Sequence, residues 1–172
     1  MAEGHVSEDR IFFLEKQVVE VDHFEARGHI LDIGGGGEGI IGQLKGAQVI
    51  AIDRERHELE QAPPGPLKIV MDARELQFLD STFETVTVFF SLMYVRERAD
   101  CARVLGEVYR VLQPGGRCLI WDAVLPSRPD AGKDVVAFPL EVRLPDWTVQ
   151  TGFQVVGHQV RDRLFALELR KL

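Results

Sequence analysis

Four consecutive glycines, Gly34 to Gly37, stand directly after the run Ile30-Leu31-Asp32-Ile33, and a fifth, Gly39, follows Glu38. The pattern reads as a short strand that runs straight into a tight loop and then a helix. Glycine adopts positive φ without steric penalty and lets a ligand lie directly against the main chain. Gly34, Gly36 and Gly39 also satisfy the G-x-G-x-x-G spacing of a dinucleotide-binding loop, so the loop alone leaves its ligand open. Its neighbours narrow the choice. Asp32 precedes Gly34 by two residues, and a second apolar run, Gln48-Val49-Ile50-Ala51-Ile52-Asp53, ends in another acid.

Further along, strand and helix patterns alternate, which predicts an α/β fold with a doubly wound, mostly parallel sheet. Ile40, Ile41 and Leu44 mark one face of a short helix that stops near Gly46. Arg54 to Ala62 reads as a polar helix, ended by Pro63-Pro64-Gly65-Pro66. Leu67 to Met71 predicts a third strand, closed by Asp72. Phe83 to Phe90 predicts a fourth, with Val86, Val88 and Phe90 on one face and Thr85, Thr87 and Phe89 on the other. From about Asp100 to Leu112 the apolar stripe Val104, Leu105, Val108, Val111 and Leu112 has helical spacing. Gln113-Pro114-Gly115-Gly116 breaks that helix, and Arg117 to Trp121 makes a fifth strand. Beyond Pro126 the alternation fails. Val135 to Leu144 looks extended, with Pro139 and Pro145 arguing for edge positions, and Phe153 to Val160 with Leu164 to Leu169 looks like a closing antiparallel hairpin. No repeat or long linker divides the 172 residues, so one domain is expected.

Composition excludes little but sets the partner class. A formal net charge of −7 argues against a broad nucleic-acid footprint. Cys101 and Cys118 read as free buried thiols, too few for a disulfide framework or a metal centre. His5, His23, His29, His57 and His158 lack ligand spacing and read as surface or structural residues, so no metal is expected. The absence of a membrane-length apolar run and of a signal-peptide pattern predicts a cytoplasmic chain with no membrane partner.

Three consecutive strands thus end in Asp32, Asp53 and Asp72. In a doubly wound sheet the carboxyl ends of the strands share one edge, where ligands bind. An acid ending the second strand is placed to accept hydrogen bonds from two ribose hydroxyls. Helix capping accounts for any one such Asp, but less readily for all three beside a glycine loop.

These residues carry a resemblance. Leu31-Asp32-Ile33-Gly34-Gly35-Gly36-Gly37 resembles the first motif of class I S-adenosylmethionine-dependent methyltransferases. Val49-Ile50-Ala51-Ile52-Asp53 resembles their second, and Met71-Asp72-Ala73 with Leu76 and Phe78 their third. Phe83-Glu84-Thr85-Val86 leading to Phe89-Phe90-Ser91-Leu92 is similar to the fourth. Leu105 to Gly116 resembles the segment before strand five, where Leu-x-Pro-Gly-Gly recurs. The resemblance covers roughly Ile30 to Ala123 and implies a Rossmann-like sheet of seven strands with the last antiparallel. It divides the chain into an N-terminal extension at 1–28, a cofactor-binding core at 29–123 and C-terminal strands at 124–172.

The resemblance also implies S-adenosylmethionine as cofactor and assigns roles. Gly34 and Gly36 let the backbone touch the methionine portion, Asp32 reaches toward its amino group, Asp53 holds the ribose diol and Arg54 flanks the adenine. Asp72 accepts from the adenine amino group, the Ala73 N–H meets the ring, and Ser91 and Leu92 line the methionine end. One departure stands out: where the family has a third glycine, this chain has Glu38. It reads either as a favourable charge in a helix's first turn or as a carboxylate facing the acceptor or the sulfonium.

No catalytic base stands out. Tyr94 and Glu97 fall where relatives approach their acceptor, and Tyr94 reads as a pocket wall or core residue, or else a proton acceptor. Trp121 and Trp147 read as packing residues. The Asn-Pro-Pro-Tyr type signature of amino-group methyltransferases is absent, Phe90-Ser91-Leu92-Met93 standing there instead. What precedes the glycine loop is short, with a mixed apolar segment at Ile11 to Val21, so the cleft reads as open. The unidentified methyl acceptor is then a small molecule or a protein, with a homo-oligomer or partner available to complete the pocket. The expected activity is in-line methyl transfer to a nucleophile. Two alternatives remain: a methyltransferase-like binding or regulatory protein without catalysis, and an NAD-binding oxidoreductase domain. The second leaves Asp72-Ala73 and the Pro-Gly-Gly turn unexplained and lacks a second domain.

Overall fold

The computed structural model describes residues 21, 23–95, 97–123, 153–161 and 164–172. Seven strands form one sheet: β1 (Ile30–Ile33), β2 (Val49–Asp53), β3 (Leu67–Val70), β4 (Phe83–Phe89), β5 (Leu112–Ala123), β6 (Phe153–Arg161) and β7 (Leu164–Lys171). Their order is β3-β2-β1-β4-β5-β7-β6. β1 to β5 pair in parallel, whereas β7 is antiparallel to both β5 and β6. The chain steps outward from β1 through β2 to β3, then returns to the other side of β1 with β4. That reversal puts a switch point between β1 and β4, the place at the carboxyl ends of the strands where doubly wound sheets bind their ligands.

Helices cover both faces. α1 (Ile40–Lys45) and α2 (Arg56–Gln61) supply Ile41 and Leu59 to a cluster with Ile30, Val49, Ala51, Leu119, Trp121 and Phe24. On the opposite face α3 (Arg98–Val111) supplies Val104, Leu105, Val108 and Val111 to a cluster with Leu31, Ile33, Ile52, Val86, Val88, Cys118 and Ile120. Alternate residues of β1 and β4 feed opposite clusters, as the two-residue period of a strand requires. All five apolar positions expected on the long helix's stripe are buried, with Leu112 already in β5.

Four local expectations are corrected. Leu44 is 56% exposed, because a six-residue helix presents little more than Ile41 and Gly42 to the sheet. Phe90 does not continue the fourth strand. Its φ is +49°, a strained left-handed backbone for an aromatic residue, and it turns the side chain onto the same cluster as Phe89, edge-on at 4.9 Å. Gln113-Pro114-Gly115-Gly116 does not separate helix from strand either. It forms a bulge within β5, Phe83 pairing with Leu112 and Thr85 with Arg117. Finally, Glu38 lies before the N-cap residue Gly39 and outside α1, whose first turn carries no acid. The C-terminal hairpin is as expected. The extended reading of Val135 to Leu144, residues 11–20, Trp147 and His5 lie outside the described residues.

α3 also fastens the loop that follows β3. Arg110 donates to the carbonyls of Phe78 and Leu76, both at 2.8 Å, and pairs with Glu107 and Asp80, each at 2.8 Å. Glu107 in turn accepts the Leu76 N–H at 2.7 Å. Replacing Arg110 with methionine leaves two carbonyls and two carboxylates without this donor and should cost about 2–4 kcal/mol in denaturant unfolding. Arg103→Met, which removes only an exposed pair with Asp100, should cost less than about 0.5 kcal/mol.

Candidate cofactor site

Every residue assigned to the site sits at one edge, because parallel strands deliver all their carboxyl ends to the same side. β1 ends at the glycine loop. The N–H groups of Gly34 and Gly35 both donate to the Ile52 carbonyl of β2, at 2.9 and 3.0 Å, and the Gly37 N–H donates to the Glu58 carbonyl of α2 at 2.8 Å. The loop is therefore stitched to the next strand and the next helix.

Two of its glycines are required by close approach. At Gly34, with φ +71°, a Cβ would stand 2.3 Å from Cβ of Ser91, in the loop after β4. At Gly36 a Cβ would stand 2.5 Å from Cβ of Glu58 and 2.8 Å from Oδ2 of Asp53. Both distances are far inside any tolerable contact, so the loop lies down tightly between β4 and α2. Ser91 completes the arrangement: its hydroxyl donates to the Ile33 carbonyl at 2.9 Å. The strained Phe90 makes this possible, its N–H donating to the Trp121 carbonyl at 2.7 Å as the chain turns off β4. Leu92 opens a 3₁₀ turn (Leu92–Tyr94) and packs against the α3-side core.

Asp32 is buried beneath the loop. Its Oδ1 accepts a hydrogen bond from the Thr87 hydroxyl of β4 at 2.7 Å. Removal from water disfavours the charged carboxylate and pushes its pKa up to about 7, against which the Thr87 bond pulls it down. Asp53 ends β2, half-buried, with Oδ1 accepting the Glu55 N–H at 2.9 Å and Oδ2 directed at Gly36. Arg54 is exposed and pairs with Glu55 at 3.3 Å. Asp72 follows β3, where its carboxylate takes the Arg74 N–H at 2.9 Å and the Arg74 guanidinium at 2.6–3.1 Å. These bonds hold it below the usual carboxylate range, with Arg54 adding a smaller pull in the same direction. Ala73 packs against the α3-side core.

The structure thus gathers Asp32, Gly34, Gly36, Asp53, Arg54, Asp72, Ala73, Ser91 and Leu92 along β1 to β4. Tyr94 is 74% exposed, which removes the core reading. His23, His29 and His57 are at the surface. Trp121 packs between Phe24 and Phe89, with ring centroids at 5.9 and 6.1 Å. Among the described residues both cysteines are free, Cys118 buried and Cys101 half-buried.

Three residues escape the sequence reading. Thr87 meets Asp32 only through strand register. Arg74 occupies the Asp72 carboxylate and bridges it to Asp100 of α3 at 2.9 Å. Asp122, buried near the end of β5, accepts the Met93 N–H at 3.2 Å and so pins the 3₁₀ turn. A visible signal marks the last of these, since β5 also carries an acid near its carboxyl end, like the three strands before it.

The arrangement fits an adenosyl amino-acid cofactor: a bare-backbone cradle above a buried acid, with a second acid, Asp53, at the end of the neighbouring strand and directed at the loop. Comparison with known proteins agrees. The family model described as a methyltransferase domain matches residues 31–120. The chain belongs to the class I S-adenosylmethionine-dependent methyltransferase family. It is 44% identical over 87 residues to a ubiquinone/menaquinone biosynthesis C-methyltransferase of Desulfotalea psychrophila, covering 48% of this chain and 34% of that protein. To a demethylmenaquinone methyltransferase of Symbiobacterium thermophilum it is 33% identical over 126 residues, 64% of this chain and 49% of the relative. The chain therefore spans a third to a half of the length of these curated relatives. A solved S-adenosylmethionine-dependent methyltransferase from Methanosarcina mazei shares the fold, with a TM-score of 0.66 at 20% identity over 87% of this chain and 94% of that one. Among the described residues no helix is long and apolar enough to cross a membrane.

Proposed function

We propose that this chain transfers a methyl group from S-adenosylmethionine to a ring carbon of a quinone-like small molecule, as one domain whose cofactor-binding core is residues 29–123. The observation that carries the reading is the acid-and-glycine edge at the β1/β4 switch point, within a chain that matches the family over residues 31–120. The acceptor class rests on the names of the relatives, which act on ubiquinone and menaquinone precursors. When bound, the cofactor supplies a methyl group already activated on a sulfonium.

What the chain contributes is orientation. The Gly34–Gly36 backbone and Ser91 fix the amino-acid end, and Asp32 offers a carboxylate to its ammonium group. Asp53 takes the ribose hydroxyls, with Arg54, Asp72 and Ala73 around the adenine. Residues that hold both ends of the cofactor would fix its orientation towards the acceptor, and such alignment can supply a large share of the rate.

Calorimetric titration with S-adenosylmethionine, S-adenosylhomocysteine and NAD tests the reading. The adenosyl pair should bind with NAD silent; binding of NAD alone would overturn it. Asp53→Ala should weaken S-adenosylhomocysteine roughly 10- to 100-fold by removing a charged acceptor from two hydroxyls. Unchanged affinity would place the ribose elsewhere.

A further inference from the structure

β4 carries two fully buried threonines on one face, Thr85 and Thr87, and their hydroxyls have different fates. In the β1–β4 register Thr85 stands beside Ile30, and Thr87 beside Asp32. The Thr85 hydroxyl has no hydrogen-bond partner among the described residues. The Thr87 hydroxyl donates to Asp32 at 2.7 Å. Burying a hydroxyl is unfavourable unless it is bonded, so Thr87 is the one of the two whose polarity has a visible use.

That use concerns the ionised form of Asp32. A hydrogen bond donated to a carboxylate favours its charged state, and on this carboxylate it opposes a strong effect of burial. From β2 the uncharged Ala51 faces Asp32, and from β4 Thr87 does. The other acids bordering the loop, Asp53 of β2 and Glu58 of α2, approach Gly36 and Gly37 instead.

We propose that Thr87 is a positioning residue of the cofactor site, which keeps the buried Asp32 carboxylate ionised and oriented for the cationic amino-acid end of the cofactor. The proposal rests on the cofactor site described above. It makes the affinity of that site pH-dependent, because only the ionised form of Asp32 attracts an ammonium group. Affinity rises as pH increases through the Asp32 titration, for as long as the ligand's amino group keeps its proton.

The test is calorimetric binding of S-adenosylhomocysteine from pH 5.5 to 9, with Thr87→Val, Thr87→Ala, Thr87→Ser and Thr85→Val beside the parent chain. Valine keeps the volume of threonine and removes the donor. It should move the midpoint of the affinity–pH curve up by about one unit, which is about tenfold weaker binding at pH 6 and no change at pH 9. Alanine should shift it in the same direction. Serine, which keeps the hydroxyl, should stay within about twofold of the parent, on the same reasoning. Thr85→Val, the same chemical change two residues away on the same face, should leave the curve unmoved.

Uniform weakening at every pH, or an equal shift from Thr85→Val, overturns the proposal. Unfolding of the ligand-free variants as a function of pH gives a second readout, whose midpoint should move by the same amount. If S-adenosylhomocysteine does not bind the parent chain, that second curve still decides the Thr87 contact, and it is the cofactor reading that fails.

Discussion

Replacing Asp32 with asparagine is expected to make the protein more stable at pH 8 and much poorer at binding its cofactor. Below pH 3.8 the folded and unfolded chains both carry the Asp32 proton. From 3.8 to about 7 only the folded chain retains it, so each rise in pH favours the unfolded state. Above about 7 both have lost it, and the native protein bears the whole cost of a buried carboxylate. That interval of about three pH units corresponds to at most roughly 4 kcal/mol. Asparagine avoids the ionisation, and part of the gain is offset because its amide N–H groups need acceptors of their own. Urea unfolding at pH 4.5 and pH 8 should therefore show a variant whose advantage appears only at the higher pH. S-adenosylhomocysteine should bind at least about tenfold more weakly, since an amide offers an ammonium group no charge. A variant destabilised equally at both pH values would mean that Asp32 is satisfied by contacts other than the Thr87 hydroxyl.

Gly34→Ala is the second large effect. The new Cβ must occupy a left-handed backbone conformation and a point 2.3 Å from Cβ of Ser91. The first costs about 1–2 kcal/mol and the second, which pushes the loop after β4 off its seat, about 1–3 kcal/mol. A fall of roughly 10 °C in Tm is expected, with loss of cofactor binding. Gly106→Ala supplies the contrast. Gly106 lies inside α3, exposed, with nothing within 4 Å of its Cβ position, so there alanine should stabilise by about 0.5–1 kcal/mol. Adding Ser91→Gly to Gly34→Ala removes the colliding atom and should restore part of the loss. If Gly34→Ala alone were tolerated, the close seating of the loop against β4 would be wrong.

Asp32 and Gly34 are legible in the amino-acid sequence because both consequences are local: a strand ending in a tight turn, with an acid two residues before it. The same holds for Asp53 and Asp72, which repeat that placement one unit later each time. Phe90 is illegible because its left-handed turn is set by a hydrogen bond to Trp121, more than thirty residues away along the chain. Alternation puts Thr87 on the correct face, but its pairing with Asp32 depends on a register that alternation alone does not fix. Leu44 follows helical periodicity, which misleads when a helix ends before completing its second turn. Glu38 misleads for a related reason: two left-handed glycines on either side of it delay the start of α1. Arg74 is a surface arginine two residues beyond an aspartate, a placement that carries no signal until its reach to α3 is known.

The glycine loop is held by Ile52 of β2, Glu58 of α2 and Ser91 beyond β4. Ile52 and Glu58 belong to one strand–helix unit and Ser91 to another, with β3 between them in the chain, so the cradle needs both units in place. A chain emerging during synthesis gains its cofactor site only once residue 91 is available to close over Gly34. After that, the dependence runs in the other direction. A ligand that binds the closed loop draws on contacts with several units at once, and its binding free energy is distributed over the whole sheet as resistance to unfolding. A saturating ligand of that loop should thus raise the unfolding midpoint of the whole sheet as well as fill the site.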